Sequence, residues 1–363
     1  MQDLGFLYTL GDRSFSLRKA GIPGYERSFV RDTVVTALLA HDSEMLLTML
    51  DFAAYLQGTK ANATTGEEPG KIFHEYPGVD LNGKNTQYAA CDTTALFLIG
   101  CLKLEQWGED SSFATGLRAH IEQAAEYIVA HLKNGLFWED PALCGSDSFA
   151  LKVTYWKDSS LHDRLSGVPQ YPVVYTLAHA QNLAGLRAAK LLLGTDHYNK
   201  HISDMQAGLH SLFNVEAGQF VIARDSLGDV LGVTSDCLHA LYYLQPGDLN
   251  EVEIKSLGAA AAVLGTSFGY RTNSPDQCDV INKYHGCSLW PFEQAIIHEG
   301  ATRFGLTQLA QKTYGVVALC GDKYPELCYL DQSGEQAELA GNDPQLWTFG
   351  ALQYFENLKK TAV

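Results

Sequence analysis

The sequence predicts an all-α fold, a closed (α/α)6 barrel of six helix pairs (a six-hairpin toroid) with small β-hairpin excursions in its loops. Three observations point there. Polar, charged and aromatic clusters stand immediately before apolar helical stretches at Asp32, Asp92, Val173, Asp236, Leu289 and Pro344. Between successive clusters lies a second apolar helical stretch without such decoration. The intervals, 53 to 81 residues, are too long and too uneven for an α-solenoid, whose repeats run to roughly 20–50 residues of near-constant length. Helices paired in this way direct every second N-terminus at a common place, so the pattern proposes a site as well as a fold.

The elements follow in order. Residues 32–41 and 44–57 carry apolar residues at helical spacing and meet at a short Asp42-Ser43 cap. The next pairs are 92–106 with 113–133, 173–193 with 197–213, 236–244 with 249–263, and 290–303 with 306–319. Residues 344–360 open a sixth pair whose second helix is missing, which leaves eleven helices and gives the N-terminal segment the task of closing the ring. Loops before the first helix of each pair are long and contain Gly, Pro and aromatics; loops within pairs are short. Segments 136–156 and 218–233 read as strand-turn-strand excursions, the second turning at Leu227-Gly228-Asp229. No low-complexity linker or compositional break divides the chain, so residues 1–363 are expected to form one domain.

Composition narrows the function. With 46% apolar and 19% charged residues, 363 residues can bury a large core. A net charge of −16 opposes nucleic acid and anionic membranes as partners and suits a neutral substrate. No apolar run reaches the roughly 18 residues of a membrane span, and Met1-Gln2-Asp3-Leu4 does not open a secretion signal. The eight cysteines form no CxxC and no regular spacing, which reads as reduced, mostly buried thiols of a cytoplasmic protein. Cys91 and Cys237 are expected to be small buried residues.

Motifs for cofactors and metals are missing. There is no GxGxxG and no P-loop, and His74-Glu75 is followed by Tyr-Pro-Gly rather than the spacing of a zinc protease. Gly286-Cys287-Ser288-Leu289-Trp290 lacks the last glycine of a nucleophile elbow. No cofactor is expected. Chemistry falls to carboxylates and aromatics in loops.

Trp156-Lys157-Asp158-Ser159 ends the first excursion. An indole beside a carboxyl offers an apolar wall that raises its pKa, as a general acid requires; taken alone, Asp158 fits a surface loop acid better, with Trp156 packed in the core. In Tyr324-Pro325-Glu326-Leu327, Pro325 fixes the approach and Glu326 either projects into a central cavity or is a solvated loop residue. Arg31-Asp32 stands among aromatics (Tyr25, Phe29). Asp32 is either an N-cap or, with Arg31, one half of a donor–acceptor grip on adjacent sugar hydroxyls. Tyr284, His285 and Trp290 precede the fifth inner helix, with Arg271 upstream; Lys71, His74, Glu75, Tyr88 and Asp92 precede the second. Glu293 is an alternative acid and Glu299 a solvated residue. Ser235-Asp236 decorates the fourth inner helix without a role.

Together these residues resemble the amylo-α-1,6-glucosidase region of glycogen-debranching enzymes and, more distantly, glucoamylases. The resemblance runs in order from about Tyr25 to Tyr354. Phe29-Val30-Arg31-Asp32-Thr33 is similar to the Arg-Asp-Ser/Thr signature that contacts the non-reducing sugar. Gly70-Lys71-Ile72-Phe73-His74-Glu75 is similar to a Gly-Lys-Ile-Pro-His-Glu segment, and Tyr88 to Leu98 to the segment after it. Trp156-Lys157-Asp158 resembles the Trp-x-Asp of the general acid. Tyr284-His285-Gly286 with Leu289-Trp290-Pro291 resembles Tyr-His-x-Gly-x-x-Trp-Pro. Pro325-Glu326-Leu327 with Pro344-Gln345-Leu346-Trp347 resembles an ending whose glutamate is the general base. Phe29-Val30 in place of Trp/Phe-Gly, Phe73 in place of proline and Leu289 in place of valine are departures that bear on pocket shape.

The resemblance implies an (α/α)6 barrel and inverting hydrolysis of an α-linked glucoside (α-1,6 or α-1,4), with Asp158 as general acid and Glu326 as general base. It implies sugar contacts from Arg31, Asp32, Tyr88, Asp92, Trp156, Arg271, Tyr284, His285 and Trp290, with Lys71 a further contact. The partner is an oligosaccharide or a small glycoside. Two other readings stay open: hydrolysis of a small glycoside such as mannosylglycerate or trehalose, and a catalytically silent sugar-binding toroid. Loops 58–90, 136–170 and 266–288 would set the choice.

Overall fold

The computed structural model describes residues 4–108, 111–161, 163–277 and 283–361. Thirteen α-helices lie among them: α1 (Val30–Ala40), α2 (Ser43–Tyr55), α3 (Thr93–Trp107), α4 (Ser111–Gly116), α5 (Arg118–Ala130), α6 (Thr176–Leu193), α7 (Asn199–Ser211), α8 (Asp236–His239), α9 (Glu251–Leu264), α10 (Pro291–Arg303), α11 (Thr307–Lys312), α12 (Gly315–Cys320) and α13 (Leu346–Thr361). The decorated helices contact one another in a closed circuit. α1 packs on α3, α3 on α6, α6 on α8, α8 on α10, α10 on α13, and α13 back on α1. The undecorated helices lie against that circuit: α2 on α1 and α3, α5 on α3 and α6, α7 on α6, α9 on α8, and α11 on α10.

Burial explains why the two sets read differently. α1 is buried at every residue from Val30 to Leu39, as a helix with neighbours on all sides must be. α5 buries only Ile121, Ala124, Ala125, Tyr127 and Ile128, one stripe at helical spacing. Inner helices also approach closely. A Cβ added to Gly185 of α6 would stand 2.9 Å from Ala95 Cα of α3, so only glycine permits that crossing.

The helix boundaries depart from expectation in three places. The stretch 113–133 divides at Gly116-Leu117, and 306–319 divides at Thr313-Tyr314. There the Thr313 hydroxyl donates to Ala310 O at 2.7 Å, a side-chain bond that competes with the helix ladder. The 236–244 stretch keeps a single α-turn and continues as a 3-10 turn over Ala240–Tyr242, because Pro246-Gly247 stops it. Asp42 caps α2 as expected, accepting from Met45 N at 2.9 Å.

Strands differ more. Segment 218–233 does hold a hairpin, Ala223–Asp225 with Gly228–Val230. Segment 136–156 holds no such unit: Leu136–Phe137 pairs back onto Leu132–Lys133, and Pro141–Cys144 is a 3-10 turn. The N-terminal segment, expected to close the ring, forms a hairpin (Gly5–Leu10 with Arg13–Arg18). It lies on α2, with the rings of Phe15 and Phe52 4.8 Å apart, and the following residues join the entrance of α13 through Leu346 N to Ala20 O at 2.8 Å. A three-stranded sheet of Ser288–Leu289, Leu327–Leu330 and Ala337–Ala340, unforeseen from sequence, sets the loops around α10 and α13.

Among the described residues no helix is long and apolar enough to cross a membrane. Among the described residues six cysteines are free, including buried Cys91 and half-buried Cys237. Cys287 is disulfide-bonded, so the expectation of reduced thiols throughout does not hold for it.

Candidate active site

The N-terminal approaches of α1, α10 and α13 surround a cavity of about 50 Å³. Three carboxylates reach it, Asp32, Asp158 and Glu326, together with Arg31. Its walls are aromatic: Tyr25, Phe29, Trp156, Tyr284, Trp290 and Trp347, with His74 and His285 between them.

Asp32 lies in the first turn of α1 rather than capping it, because Phe29 holds the N-cap position. The side chain is therefore free to face the cavity, where Gln345 Nε2 donates to Oδ1 at 3.3 Å. Arg31 pairs not with Asp32 but with Asp92, Nε to Oδ2 at 2.8 Å and a second nitrogen to Oδ1 at 3.0 Å. Asp92 is thus the anchor behind Arg31 and does not line the cavity.

Glu326 opens the strand Leu327–Leu330 and is held at both oxygens. Oε2 accepts from Asn342 N at 2.9 Å and from Asn342 Nδ2 at 2.7 Å, while Oε1 accepts from the Tyr284 hydroxyl. Tyr25 and Tyr284 hydroxyls stand 3.1 Å apart. All three partners of Glu326 act as donors, the arrangement of a carboxylate fixed as an acceptor.

Asp158 is the opposite case. No side chain donates to it among the described residues. Burial pushes its carboxyl up to about 7, against the pull of Arg31 and with help from Asp92 and Glu75. Burial likewise pushes Asp32 up to about 8, opposed by Arg31 and reinforced by Glu326 and Asp158. Several carboxyls confined together cannot all ionise freely, so the cavity retains a proton near neutral pH.

The sign of the stability effect follows. Asp32 and Asp158 bind their protons more tightly folded than unfolded, so this contribution is complete below the ordinary carboxylate range and is lost as pH rises through about 7 and 8. Asp32→Asn is therefore expected to raise Tm relative to the parent more at pH 8 than at pH 5. Thermal unfolding at the two pH values checks it, and an equal shift at both would refute the linkage.

The remaining expected site residues divide. Trp156, Tyr284, His285 and Trp290 line the cavity. His285 stacks on Trp290 at 5.1 Å, and Trp156 meets Trp290 edge-on at 5.7 Å. Burial holds the His285 and His74 imidazoles below their ordinary range, so both are neutral near pH 7. Tyr88 and Arg271 do not line the cavity. Tyr88 is buried in a 3-10 turn and donates to Leu56 O at 2.6 Å; Arg271 is buried against the loop at Gly334 and donates to Gln332 O at 3.1 Å. Lys71 sits in a separate buried ion cluster with Glu68 and Glu139. Glu75 pairs with Arg27 at 2.6 Å and acts on Asp158 only through its field. Glu293 is fully buried, accepts from Ser235 Oγ at 2.7 Å and is not part of the cavity lining. Glu299, expected to be solvated, is partly buried beside Arg303 at 3.4 Å. Asn342, Gln345 and Trp347 were not expected as site residues; Gln345 and Trp347 belong to the Pro344-Gln345-Leu346-Trp347 motif, whereas Asn342 carries no sequence signal. The 266–288 loop falls partly outside the described residues.

Neither a protein-family model nor a curated protein sequence matches the chain. Solved structures do. A GH63 mannosylglycerate hydrolase from Thermus thermophilus, in complex with glucose, superposes with a TM-score of 0.72 at 15% identity over 94% of this chain and 95% of that one. A rhamnosidase from Klebsiella oxytoca with rhamnose bound gives a TM-score of 0.60 at 13% identity over 94% of this chain and 60% of that chain. A GH78 family rhamnosidase of Bacillus sp. GL1 gives 0.61 at 12% identity, with 92% and 32% covered. At these identities the likeness establishes a shared fold.

Proposed function

We propose that the chain is an inverting glycoside hydrolase for a small glycoside, its closed helix circuit being an (α/α)6 barrel. The observation that carries this reading is the contrast between two carboxyls of one cavity. Asp158 lacks side-chain donors among the described residues and is pushed up to about 7, whereas Glu326 is clamped by three donors. One is suited to give a proton and the other to take one. Asp158 protonates the glycosidic oxygen as its bond to the anomeric carbon breaks. Water attacks that carbon from the opposite face and passes its proton to Glu326. The two carboxyls of such a pair stand about 6.5–9.5 Å apart, leaving room for the water. Arg31 and Asp32 grip sugar hydroxyls while Tyr284, His285 and Trp290 wall the ring. Activity is then expected to fall as pH rises through about 7, where Asp158 loses its proton.

Full-length correspondence with a mannosylglycerate hydrolase supports a small glycoside over a debranching substrate, which stays the second reading. The aglycone is more suitably neutral than anionic. The charge of Arg31, the one Arg or Lys of the described lining, is balanced by Asp92, and both cavity histidines are neutral, so no unbalanced positive charge faces the aglycone. NMR of anomeric products from mannosylglycerate, trehalose, maltose and isomaltose tests the reading. Cleavage with inverted configuration supports it; retention, or no cleavage of any of the four, defeats it.

Gly341 offers a finer check. Its φ is +77°, and a Cβ there would stand 2.5 Å from Glu326 Oε2. Gly341→Ala must displace the base, and a displacement of about 1 Å costs on the order of 10²-fold in rate. Turnover measured beside circular dichroism distinguishes this from unfolding; unimpaired turnover would separate Glu326 from the chemistry.

A further inference from the structure

Three consecutive side chains ahead of Asp158 converge on one carboxylate. Asp236 Oδ2 accepts from the Tyr155 hydroxyl at 3.0 Å, and Oδ1 accepts from Trp156 Nε1 at 3.1 Å and pairs with Lys157 Nζ at 3.0 Å. Thr234 Oγ1 completes the set at 3.1 Å. Lys157 Nζ also donates to Ser235 Oγ and Thr272 O, each at 3.1 Å. Asp236 and Lys157 are both buried, 4% exposed. Lys157 adjoins Asp158 in sequence, yet its ammonium is spent on the fourth helix start and forms no pair with Asp158 among the described residues.

We propose that Asp236 is the positioning residue of the acid loop: by gathering Tyr155, Trp156 and Lys157 it fixes the approach to Asp158 and turns the Lys157 ammonium away from it. This rests on the reading of Asp158 as general acid. A cation set free beside a general acid would hold it ionised and so disarm it, since an opposite charge within about 4–6 Å lowers a carboxyl by roughly 1–3 pH units. The other groups acting on Asp158 do not change with Asp236: Arg31 pulls it down, Asp92 and Glu75 push it up, and Asp32, Glu326 and Tyr25 share its cavity. Lys157 itself is felt by His285 and Cys237.

Carboxyl-13C NMR titration of aspartate-labelled protein reads this without a substrate, with Asp158 assigned by its loss in Asp158→Asn. Asp236→Asn keeps the shape but not the charge, and should lower the Asp158 midpoint by about one pH unit or more. Adding Lys157→Met removes the orphaned cation and should restore it. An unchanged midpoint in folded Asp236→Asn, or no recovery in the double variant, overturns the proposal. If Asp236→Asn does not fold, Asp236→Glu keeps the charge one methylene away; a partial fall is expected, and none overturns the proposal. Hydrolysis is assayed in parallel. Wild-type turnover in Asp158→Asn would sink the general-acid reading whatever the titration shows, whereas slow turnover in Asp236→Asn with an unmoved midpoint would reduce Asp236 to a structural part.

Discussion

Replacing Asp158 by asparagine is expected to slow cleavage of an alkyl glycoside by about 10²–10⁴-fold, the usual contribution of general acid–base catalysis. Asparagine preserves size and polarity but has no proton to give, so the leaving oxygen must depart as an alkoxide. Glu326→Gln should cost a similar factor for the opposite reason, because an amide cannot take the proton of the attacking water. The two variants separate on leaving group. A glycosyl fluoride or nitrophenyl glycoside needs little protonation, so Asp158→Asn should recover much of its rate on such a substrate while Glu326→Gln should not. Glutamine fits the clamp in one orientation, its carbonyl accepting from Asn342 and its NH2 donating to the Tyr284 hydroxyl, which can turn its own proton to Tyr25. Initial rates on the two substrate types decide the roles. If both variants turn over both substrates at the parental rate, neither carboxyl is catalytic.

The inner circuit was legible because α1, α3, α6, α10 and α13 each begin just beyond a polar cluster, and a helix closing a common space must point its first turn there. The acid and base candidates were legible as motifs. Their support was not. Glu326 is clamped by Asn342, sixteen positions on, through strands of four residues, too short for alternation to register. Asp236 meets Trp156 across eighty positions of sequence, and nothing local in Ser235-Asp236 shows that contact. Tyr88 stands four residues before Asp92, which looks like one site, but its phenol is buried in the core and bonded to Leu56 O at the end of α2. The N-terminal hairpin was readable, since Phe15 and Leu17 alternate with exposed neighbours, yet that segment was assigned only the closing of the ring and no strands.

Lys71 shows how a residue near the site in sequence can matter through stability, and its replacement carries the second large expected effect. Its ammonium is fully buried, 3.3 Å from Glu68 Oε1 and 3.6 Å from Glu139 Oε1, over the Phe149 ring at 4.7 Å. His131 Nε2 stands 2.9 Å from the second Glu68 oxygen. Neither Glu139 oxygen has a hydrogen-bond partner, so its compensation is electrostatic, from Lys71 first and His131 second. Burial raises the Glu139 carboxyl, and Lys71 opposes that rise. Lys71→Met keeps the length and removes the charge, stranding carboxylates in the interior. Breaking a buried ion pair from one side costs about 3–5 kcal/mol, which urea denaturation would read as a lower midpoint at an unchanged slope. Lys71→Met with Glu139→Gln should regain part of the loss, because the stranded charge rather than the lost attraction carries most of the penalty. A loss below about 1 kcal/mol in the single variant would place the cluster in contact with water. The consequence for function runs through Ile72, whose N–H donates to Thr94 Oγ1 at 3.0 Å and whose carbonyl accepts from Thr93 Oγ1 at 2.9 Å. Those bonds join Lys71 to the start of α3 and, two residues on, to His74 in the cavity wall. Loosening the cluster should therefore weaken sugar binding before it alters the proton transfers, raising KM with little change in kcat in whatever fraction stays folded.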